Sequence, residues 1–403
     1  MGRYKMDAWA PEKELLCGID RMETSSPPDP SLVYGLVTND SAVNKSGMPV
    51  KQALLKAGYR ITRLFSPEHG LQARGVDGAA QPDRTDPGSG IPVTSLYGDR
   101  LEPPPETRSG LDAILFDLPN AGVRFYTYLW TMSYMMEWCD KEGLPLIILD
   151  RPNPLGADLS RAEGPMITPG YYSFIGRWNI PIRFSLTMGE LALLLKYEMG
   201  LEKLSLQIIK TEGWNRMDTI LDWRYPFKPP SPALLSPTSY LTYPCLCFLE
   251  ATNVSVDRGG PGSFEVAHAP WIRAEELTDA FNLYTPPGME ALPYRCVEPQ
   301  GQYPGLSGEG LRLRVTDPAV FRPVKTGMIL LALLRTSYPD HFSWVPYPTL
   351  VNPSGARHFE LLSGGEGLKS WLENEPLRHL DELDDLLAVP SWAERVEAFL
   401  LYR

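Results

Sequence analysis

Short apolar runs alternate with helical patterns through the first half of this 403-residue chain. The apolar runs predict strands at 32–37, 59–65, 113–117, 145–149 and 204–210. Helical patterns are found at 12–22, 49–57, 127–142 and 187–199. Strands that alternate with helices at these lengths predict an α/β fold with a doubly wound, mostly parallel sheet.

The pattern changes near residue 235, where the chain becomes rich in proline. We therefore predict two domains, one over 1–235 and a smaller α+β domain over 236–403. In the second domain the sequence indicates a strand at 311–315, a helix at 326–337 and further helical segments from 368 to the end.

Residues 71–110 are rich in Gly, Pro and Asp and contain one apolar island, at 91–97. A connection of this length inside a compact domain is usually a functional loop. We expect a loop or lid beside a binding site.

Polar side chains follow several of the predicted strands. Glu68 and His69 come directly after the strand at 59–65, between Pro67 and Gly70, which end the strand and turn the chain. Right-handed crossovers place the carboxyl ends of parallel strands at one edge, where ligands bind in open α/β sheets. We therefore expect a shared pocket formed by Asn39, Glu68, His69, Asp117, Asn120, Arg124, Asp150, Arg151, Asn153 and Trp214.

Composition and motifs exclude several classes of function. A net charge of −11 and a pI near 5.1 argue against a nucleic-acid surface. The sequence has no P-loop, no Gly-x-Gly-x-x-Gly after the first strand, no Gly-x-Ser-x-Gly and no His-Glu-x-x-His. We expect no metal or other cofactor.

The cellular setting is predicted from the cysteines and the apolar runs. Five cysteines without a pairing pattern suggest free thiols and a reducing compartment. The N-terminus has no signal-like apolar region, and no apolar run reaches the roughly 18 residues of a membrane span. We expect a cytoplasmic protein that does not interact with membranes and acts on a small molecule.

The carboxylate-rich edge suits cleavage of a glycosidic bond, which needs an acid for the leaving oxygen and a second carboxylate or an activated water. Glu68 is the candidate acid, because its apolar neighbours Phe65 and Leu71 would raise its pKa. His69 either orients Glu68 or is an ordinary hydrogen-bonded loop histidine. Glu190 begins a helix in a capping-box pattern and is expected to be a cap.

The two arginines of the edge have planar guanidinium groups that suit a substrate carboxylate. Arg124 and Arg151 could instead pair with Asp117 or Asp150, and we expect this for one of them. Aromatic side chains of the edge, such as Tyr126 and Trp214, could stack on sugar faces or simply pack.

Several motifs of the chain resemble the NamZ-type exo-β-N-acetylmuramidases. They occur in the same order and cover nearly the whole chain. The matching residues are Ser66 to Gly70, Phe116-Asp117, Gly122 to Tyr128, Leu149 to Pro154, Glu163 to Pro165, Glu250, Thr252, Asn253, Ser255, Arg258-Gly259, Ala269 to Trp271, Ser391-Trp392 and Phe399 to Tyr402.

This resemblance implies a Rossmann-like first domain and an active site in the cleft between the two domains. It also implies removal of a terminal N-acetylmuramic acid from the non-reducing end of peptidoglycan fragments, in cell-wall recycling. Glu68 matches the family's proposed catalytic glutamate. With the motifs above, the expected catalytic residues are Glu68, His69, Asp117 and Asn120. The expected substrate-binding residues are Asn39, Arg124, Tyr126, Asp150, Arg151, Asn153, Glu163, Trp214, Glu250, Asn253 and Arg258.

The chain departs from the family pattern at two places. Asn120 stands where the family usually has an aspartate, and Asp257 to Gly260 replaces a usual Gly-Arg-Gly-Thr. An amide cannot act as a base at neutral pH. The alternative hypothesis is therefore a catalytically weakened or inactive protein that binds muramyl sugars.

Overall fold

The computed structural model describes residues 14–22, 27–284, 287–298, 301–374 and 376–403. Its first half is built on a seven-stranded sheet in the order β3-β4-β2-β1-β5-β6-β7, in which only β3 runs antiparallel to its neighbour. The strands are β1 Val33–Thr38, β2 Arg60–Ser66, β3 Arg84–Thr85, β4 Pro92–Ser95, β5 Ala113–Asp117, β6 Leu146–Leu149 and β7 Leu206–Ile209. The predicted α/β class with a mostly parallel, doubly wound sheet is confirmed.

Both faces of the sheet are covered, so the central strands are apolar throughout. On β5, Ile114 and Phe116 belong to a core that continues into the second half of the chain. Ala113 and Leu115 belong to a separate core on the opposite face. This alternation follows from the two-residue period of a strand.

Helices of the first half connect the strands. They are α1 Gly18–Arg21, α2 Val50–Lys56, α3 Tyr128–Glu142 and α4 Met188–Glu198. The predicted capping box of α4 is confirmed, because Thr187 accepts from the Glu190 backbone N–H and Glu190 accepts from that of Thr187. The helix predicted at 12–22 is limited to α1 within the described residues, and positions 12 and 13 lie outside them.

The expectation of one long loop at 71–110 is wrong in part. Strands β3 and β4 lie within it, and β4 pairs in parallel with β2. The apolar island at 91–97 is the reason, since it supplies β4, a short and mostly buried strand that lies between β2 and β3. A further turn of 3₁₀-helix follows at Pro105–Arg108.

The second half contains a three-stranded antiparallel sheet in the order β8-β10-β9. Its strands are β8 Val266–Ala269, β9 Met289–Val297 and β10 Ser307–Val315. Its helices are α5 Pro237–Leu246, α6 Ala274–Tyr284, α7 Pro323–Ser337, α8 His358–Ser363, α9 Gly367–Glu373, α10 Leu380–Leu387 and α11 Trp392–Val396. The smaller α+β unit is confirmed, although β8, β9, α5, α6 and α8 were not predicted.

Short 3₁₀-helices occur at Leu159–Arg161, Cys247–Ala251, Pro376–Arg378 and Glu397–Phe399. Across the described ranges, no helix combines the length and apolar character that crossing a membrane requires.

Candidate active site

A cavity lies at the carboxyl edge of the parallel sheet and is walled by both halves of the chain. The first half contributes Glu68, His69, Asp77, Tyr97, Tyr126, Thr127 and Phe174. The second half contributes Tyr243, Cys247, Glu250, Arg258, Tyr347 and His358. We call this space the Glu68 cavity.

Glu68 follows β2 and is held at both carboxylate oxygens. The Gly78 backbone N–H donates to Oε1 at 3.0 Å, and the Thr127 hydroxyl donates to Oε2 at 2.7 Å. Gly78 has φ +65°, and a Cβ atom there would lie 3.0 Å from Thr349. Glycine is therefore required where the 71–80 segment approaches both the glutamate and the second half of the chain.

Asp77 lies beside Glu68 and is bound by a cation and a hydroxyl. Arg258 Nη2 lies 2.6 Å from Oδ1, and the Tyr347 hydroxyl donates to Oδ2 at 2.7 Å. His69 donates from Nδ1 to the Gly75 carbonyl at 2.9 Å, because a carbonyl oxygen can only accept. Its Nε2 is 3.9 Å from Asp77 Oδ1.

The two carboxyl groups differ in their pKa. Burial raises the pKa of Glu68, and the charge of Asp77 raises it further. Burial also acts to raise the pKa of Asp77, but Arg258, His69 and the hydrogen bond from Tyr347 outweigh it and hold that pKa below its usual value. Glu68 therefore holds its proton more tightly than Asp77 does.

Glu250 is the third acid of the cavity and is joined to the same network. Its Oε1 pairs with Arg258 Nη1, and its Oε2 lies 3.5 Å from His358 Nε2. Arg258 therefore bridges Asp77 and Glu250, which lie in different halves of the chain. Burial acts to lower the pKa of Arg258, but these two carboxylates dominate and raise it well above its usual value.

Glu68, His69 and Asp77 each offer one ligand atom, and these atoms lie within 4.8 Å of one another. A divalent cation could be held at that spacing. Each group, however, already has a protein partner: Gly78 and Thr127 for Glu68, Gly75 for His69, and Arg258 for Asp77. The arrangement fits a hydrogen-bonded acid pair better than a cation site.

Five of the residues expected from the sequence line the Glu68 cavity together, namely Glu68, His69, Tyr126, Glu250 and Arg258. The remaining ten do not line it.

Asn120 and Arg151 line a separate cavity at the same edge of the sheet. Arg151 is paired with Asp117, through Nε at 2.5 Å from Oδ1 and Nη2 at 3.1 Å from Oδ2. Internal pairing was one of the two alternatives for an edge arginine. Asn120 accepts from the Gly122 backbone N–H at 2.7 Å.

Arg124 binds backbone rather than facing a cavity. Its guanidinium donates to the carbonyls of Pro165 and Ile180 at 2.7 and 2.8 Å and to that of Leu362 at 3.1 Å. Burial lowers its pKa to about 9. The contact with Leu362 joins the first half of the chain to α8, whereas Pro165 and Ile180 belong to the first half itself.

Asp150 and Asn153 organise the loop after β6. Asp150 accepts from the Thr187 hydroxyl at 2.7 Å, the Gly189 backbone N–H at 2.8 Å and the Tyr402 hydroxyl at 2.6 Å. Burial raises the pKa of Asp150 to about 6, although these hydrogen bonds oppose it. Asn153 donates to the Leu186 carbonyl at 2.9 Å and accepts from the Leu155 backbone N–H at 3.0 Å.

Four further expected residues also have internal partners. Asn39 donates to the Tyr128 hydroxyl at 2.9 Å, and Trp214 packs edge-on against Tyr402. Glu163 accepts from the backbone N–H groups of Val324 and Lys325, at 3.3 and 3.2 Å, in the first turn of α7. Asn253 joins the His341 carbonyl and the Ser343 N–H, at 2.7 and 2.9 Å.

Several residues of the cavity were missed by reading the sequence. Asp77 and Tyr97 lie in the 71–110 segment, which composition marked as functional without indicating a residue. Tyr347 lies in an irregular segment of the second half and His358 at the start of α8, and no local pattern there points to a site. Only the fold brings them to Glu68.

Similarity to known proteins covers the whole described fold. A family model described as exo-β-N-acetylmuramidase NamZ, N-terminal, matches residues 34–238, and the corresponding C-terminal model matches 241–402. The chain is 34% identical over 341 residues to the peptidoglycan β-N-acetylmuramidase NamZ of Bacillus subtilis, which covers 84% of this chain and 80% of that protein.

Two crystal structures of DUF1343 family proteins from Bacteroides fragilis have similar folds. One has a TM-score of 0.84 at 26% identity and covers 97% of this chain and 99% of that chain. The other has a TM-score of 0.70 at 21% identity, with the same coverage, and supports the fold alone. Because family models match both halves and a curated relative matches most of the chain, the protein belongs to the exo-β-N-acetylmuramidase NamZ family.

Proposed function

We propose that this protein hydrolyses the glycosidic bond of a terminal, non-reducing N-acetylmuramic acid in peptidoglycan fragments, with Glu68 as general acid and base. Membership of the NamZ family and the name of the Bacillus subtilis relative support this substrate. The observation that carries the proposal is the pair of neighbouring carboxyl groups with opposite pKa shifts in one cavity.

In the proposed reaction Glu68 gives its proton to the leaving oxygen. Its raised pKa favours retention of that proton until it is transferred, and the hydrogen bond from Thr127 orients the carboxyl group. Asp77, ionised and paired with Arg258, faces the positive charge that develops at the anomeric carbon. Glu68 then takes a proton from the attacking water.

The sugar's lactyl carboxylate needs a cationic partner, and Arg258 is the arginine that lines this cavity among the described residues. A bidentate guanidinium suits a carboxylate. Arg258 already bridges Asp77 and Glu250, so it is fixed before substrate binds. Tyr97, Tyr126 and Phe174 supply apolar ring surface for the pyranose.

The short distance between the two carboxyl groups favours hydrolysis with retention of configuration. Their nearest ligand atoms lie within 4.8 Å, whereas inverting enzymes leave about 6.5–9.5 Å for a water. We expect the β-anomer of N-acetylmuramic acid as the first product, observed by proton NMR during rapid turnover. The α-anomer as first product would contradict the double role of Glu68 as acid and then base on one face of the sugar.

The alternative of an inactive sugar-binding protein rests on Asn120. Asn120 lines the other cavity and shares no lining position with Glu68. The amide at position 120 therefore does not remove a carboxylate from the Glu68 cavity, and we favour the hydrolase hypothesis. Turnover of a MurNAc-GlcNAc disaccharide distinguishes the hydrolase from the binding protein. For a binding protein, N-acetylmuramic acid would raise the melting temperature, but no product would be released from the disaccharide.

The decisive experiment compares Glu68→Gln with the wild type on this disaccharide. Loss of a general acid lowers the rate by about 10²–10⁴-fold, so we expect kcat to fall in that range. Glu163→Gln is the matched control, since Glu163 is equally buried but binds the start of α7. It should change the melting temperature and leave kcat nearly unchanged. Near-native turnover by Glu68→Gln would remove Glu68 from the mechanism.

The setting that we propose is the cytoplasm, where such fragments would arrive during recycling of the cell wall. The free cysteines Cys17, Cys139, Cys245, Cys247 and Cys296 support a reducing compartment. Fractionation of cells with an antibody to the native chain tests this assignment.

A further inference from the structure

A second cavity lies at the carboxyl edge of the sheet, between the ends of β1 and β5. Ser41 and Val43 line it from the loop after β1, and Pro119 and Asn120 from the loop after β5. The chain adds β2 on one side of β1 and β5 on the other, so the direction of sheet growth reverses here. Open α/β sheets bind ligands at such crevices. None of its lining residues belongs to the Glu68 cavity.

Asn120 and Trp223 line this second cavity, and each carries a buried side-chain donor without a protein partner. Within the described part of the chain, Asn120 Nδ2 and Trp223 Nε1 are both buried and donate to nothing. The orientation of the Asn120 amide is set by its Oδ1, which accepts from the Gly122 N–H at 2.7 Å. A buried donor left unpaired destabilises the folded chain, because it has lost its hydrogen bonds to water. A ligand with acceptor oxygens would remove this destabilisation.

The charges and rings of the second cavity define the ligand further. Two cations, Arg151 and Lys228, line it, and no Asp or Glu is present among its described lining residues. Asp117 offsets the charge of Arg151, whereas Lys228 is exposed. The walls are aromatic, from Trp223, Tyr225, Phe227 and Tyr240. The Glu68 cavity, in contrast, contains three acids.

We propose that the second cavity binds a small carboxylate that carries a ring. Its carboxylate oxygens accept from Asn120 Nδ2 and Trp223 Nε1, and its ring lies between the aromatic walls. Both donors are shielded from solvent, so their bonds to an anion are stronger than they would be in water. Sugar acids and aromatic acids share this chemistry, and separate probes distinguish them.

The test is calorimetric titration of the full chain with benzoate and with D-glucuronate, and with benzamide and methyl glucoside as uncharged controls. We expect saturable binding of at least one acid and none of the uncharged controls. Preference for benzoate identifies an aromatic acid, and preference for glucuronate identifies a sugar acid. Absence of saturation by both acids would overturn the proposal.

Two variants locate the bound acid. Trp223→Phe keeps the ring and removes the N–H, and should weaken binding about tenfold. Asn120→Asp keeps the acceptor for Gly122 and places a negative charge against the anion, and should abolish binding. Circular dichroism verifies that both variants fold. Wild-type affinity in both variants would overturn the proposal.

Variants of the Glu68 cavity separate this site from the hydrolase. Glu68→Gln and Arg258→Gln should bind the acid with the wild-type affinity even where turnover is lost. If Arg258→Gln abolishes binding and Trp223→Phe does not, the acid occupies the Glu68 cavity and the second-site proposal is wrong. Turnover by the wild type is measured independently, so failure of either proposal leaves the other intact.

Discussion

At the scale of single residues, the proposed chemistry depends on a difference between two carboxyl groups that have the same intrinsic acidity to within about half a unit. Glu68 accepts from two neutral donors, whereas Asp77 has the guanidinium of Arg258 at 2.6 Å. Burial is common to both. Arg258 is therefore the main reason why the pKa of Asp77 is lowered while that of Glu68 is raised.

This coupling predicts a shift in the pH profile of Asp77→Asn. The charge of Asp77 raises the pKa of Glu68, so its removal lowers that pKa. A general acid must be protonated, and the basic limb of the residual kcat/KM should therefore move to lower pH. Carbon-13 NMR of the Glu68 carboxyl measures the same shift without turnover. An unchanged or raised Glu68 pKa would contradict the coupling.

Residue type alone did not show which polar groups were available to a substrate. Arg151 and Arg258 both carry the planar guanidinium that suits a carboxylate. Arg151, however, lines the second cavity and is bound to Asp117. Arg258 also has carboxylate partners, but these partners line the Glu68 cavity with it. The cavity that each arginine lines and the carboxylates that bind it are decided by neighbours from distant parts of the chain.

At the scale of elements, the carboxyl edge of the sheet holds two cavities where one pocket was expected. The segment 226–234 forms part of both: Pro226, Phe227 and Lys228 line the second cavity, and Ser231, Ala233 and Leu234 line the Glu68 cavity. The Tyr128 hydroxyl, at the start of α3, donates to the Pro230 carbonyl at 2.5 Å between them. The polar residues at the strand ends correctly predicted the edge where ligands would bind. They could not predict that this edge holds two separate cavities.

Arg124 offers a prediction about how elements are joined. Arg124→Met would leave three carbonyls without their donor, at a cost of about 3 kcal/mol in the free energy of unfolding. Arg60→Met, at an exposed position, is the matched control and should cost less than about 0.5 kcal/mol. Urea denaturation measures both. If Arg124→Met left the free energy of unfolding unchanged but raised KM, Arg124 would instead be a substrate-binding residue.

At the scale of the whole molecule, the two halves share one hydrophobic core and one cavity. The core cluster that contains Phe116 of β5 also contains Leu311 of β10 and Leu330 of α7. Asp77 of the first half is bound by Arg258 and Tyr347 of the second. Neither half supplies the complete Glu68 cavity.

A shared core predicts that the chain unfolds as one unit despite its two sheets. We expect a single calorimetric transition whose calorimetric and van't Hoff enthalpies agree. The reason is that unfolding either half would expose apolar surface of the other, at about 25 cal/mol per Å². Two separate transitions would show that the halves are stable independently.

The sequence by itself determined the alternation of strands and helices, the parallel sheet, the carboxyl edge and the placement of Glu68 and His69 at the end of β2. These follow from local periodicity and from turn residues such as Pro67 and Gly70, which act over a few positions. Only the tertiary structure decided that Asp77, Arg258 and Tyr347 meet beside Glu68, and that Asn120 faces a different cavity. Such contacts join residues up to 270 positions apart, as for Tyr347 and Asp77, and no local pattern encodes them.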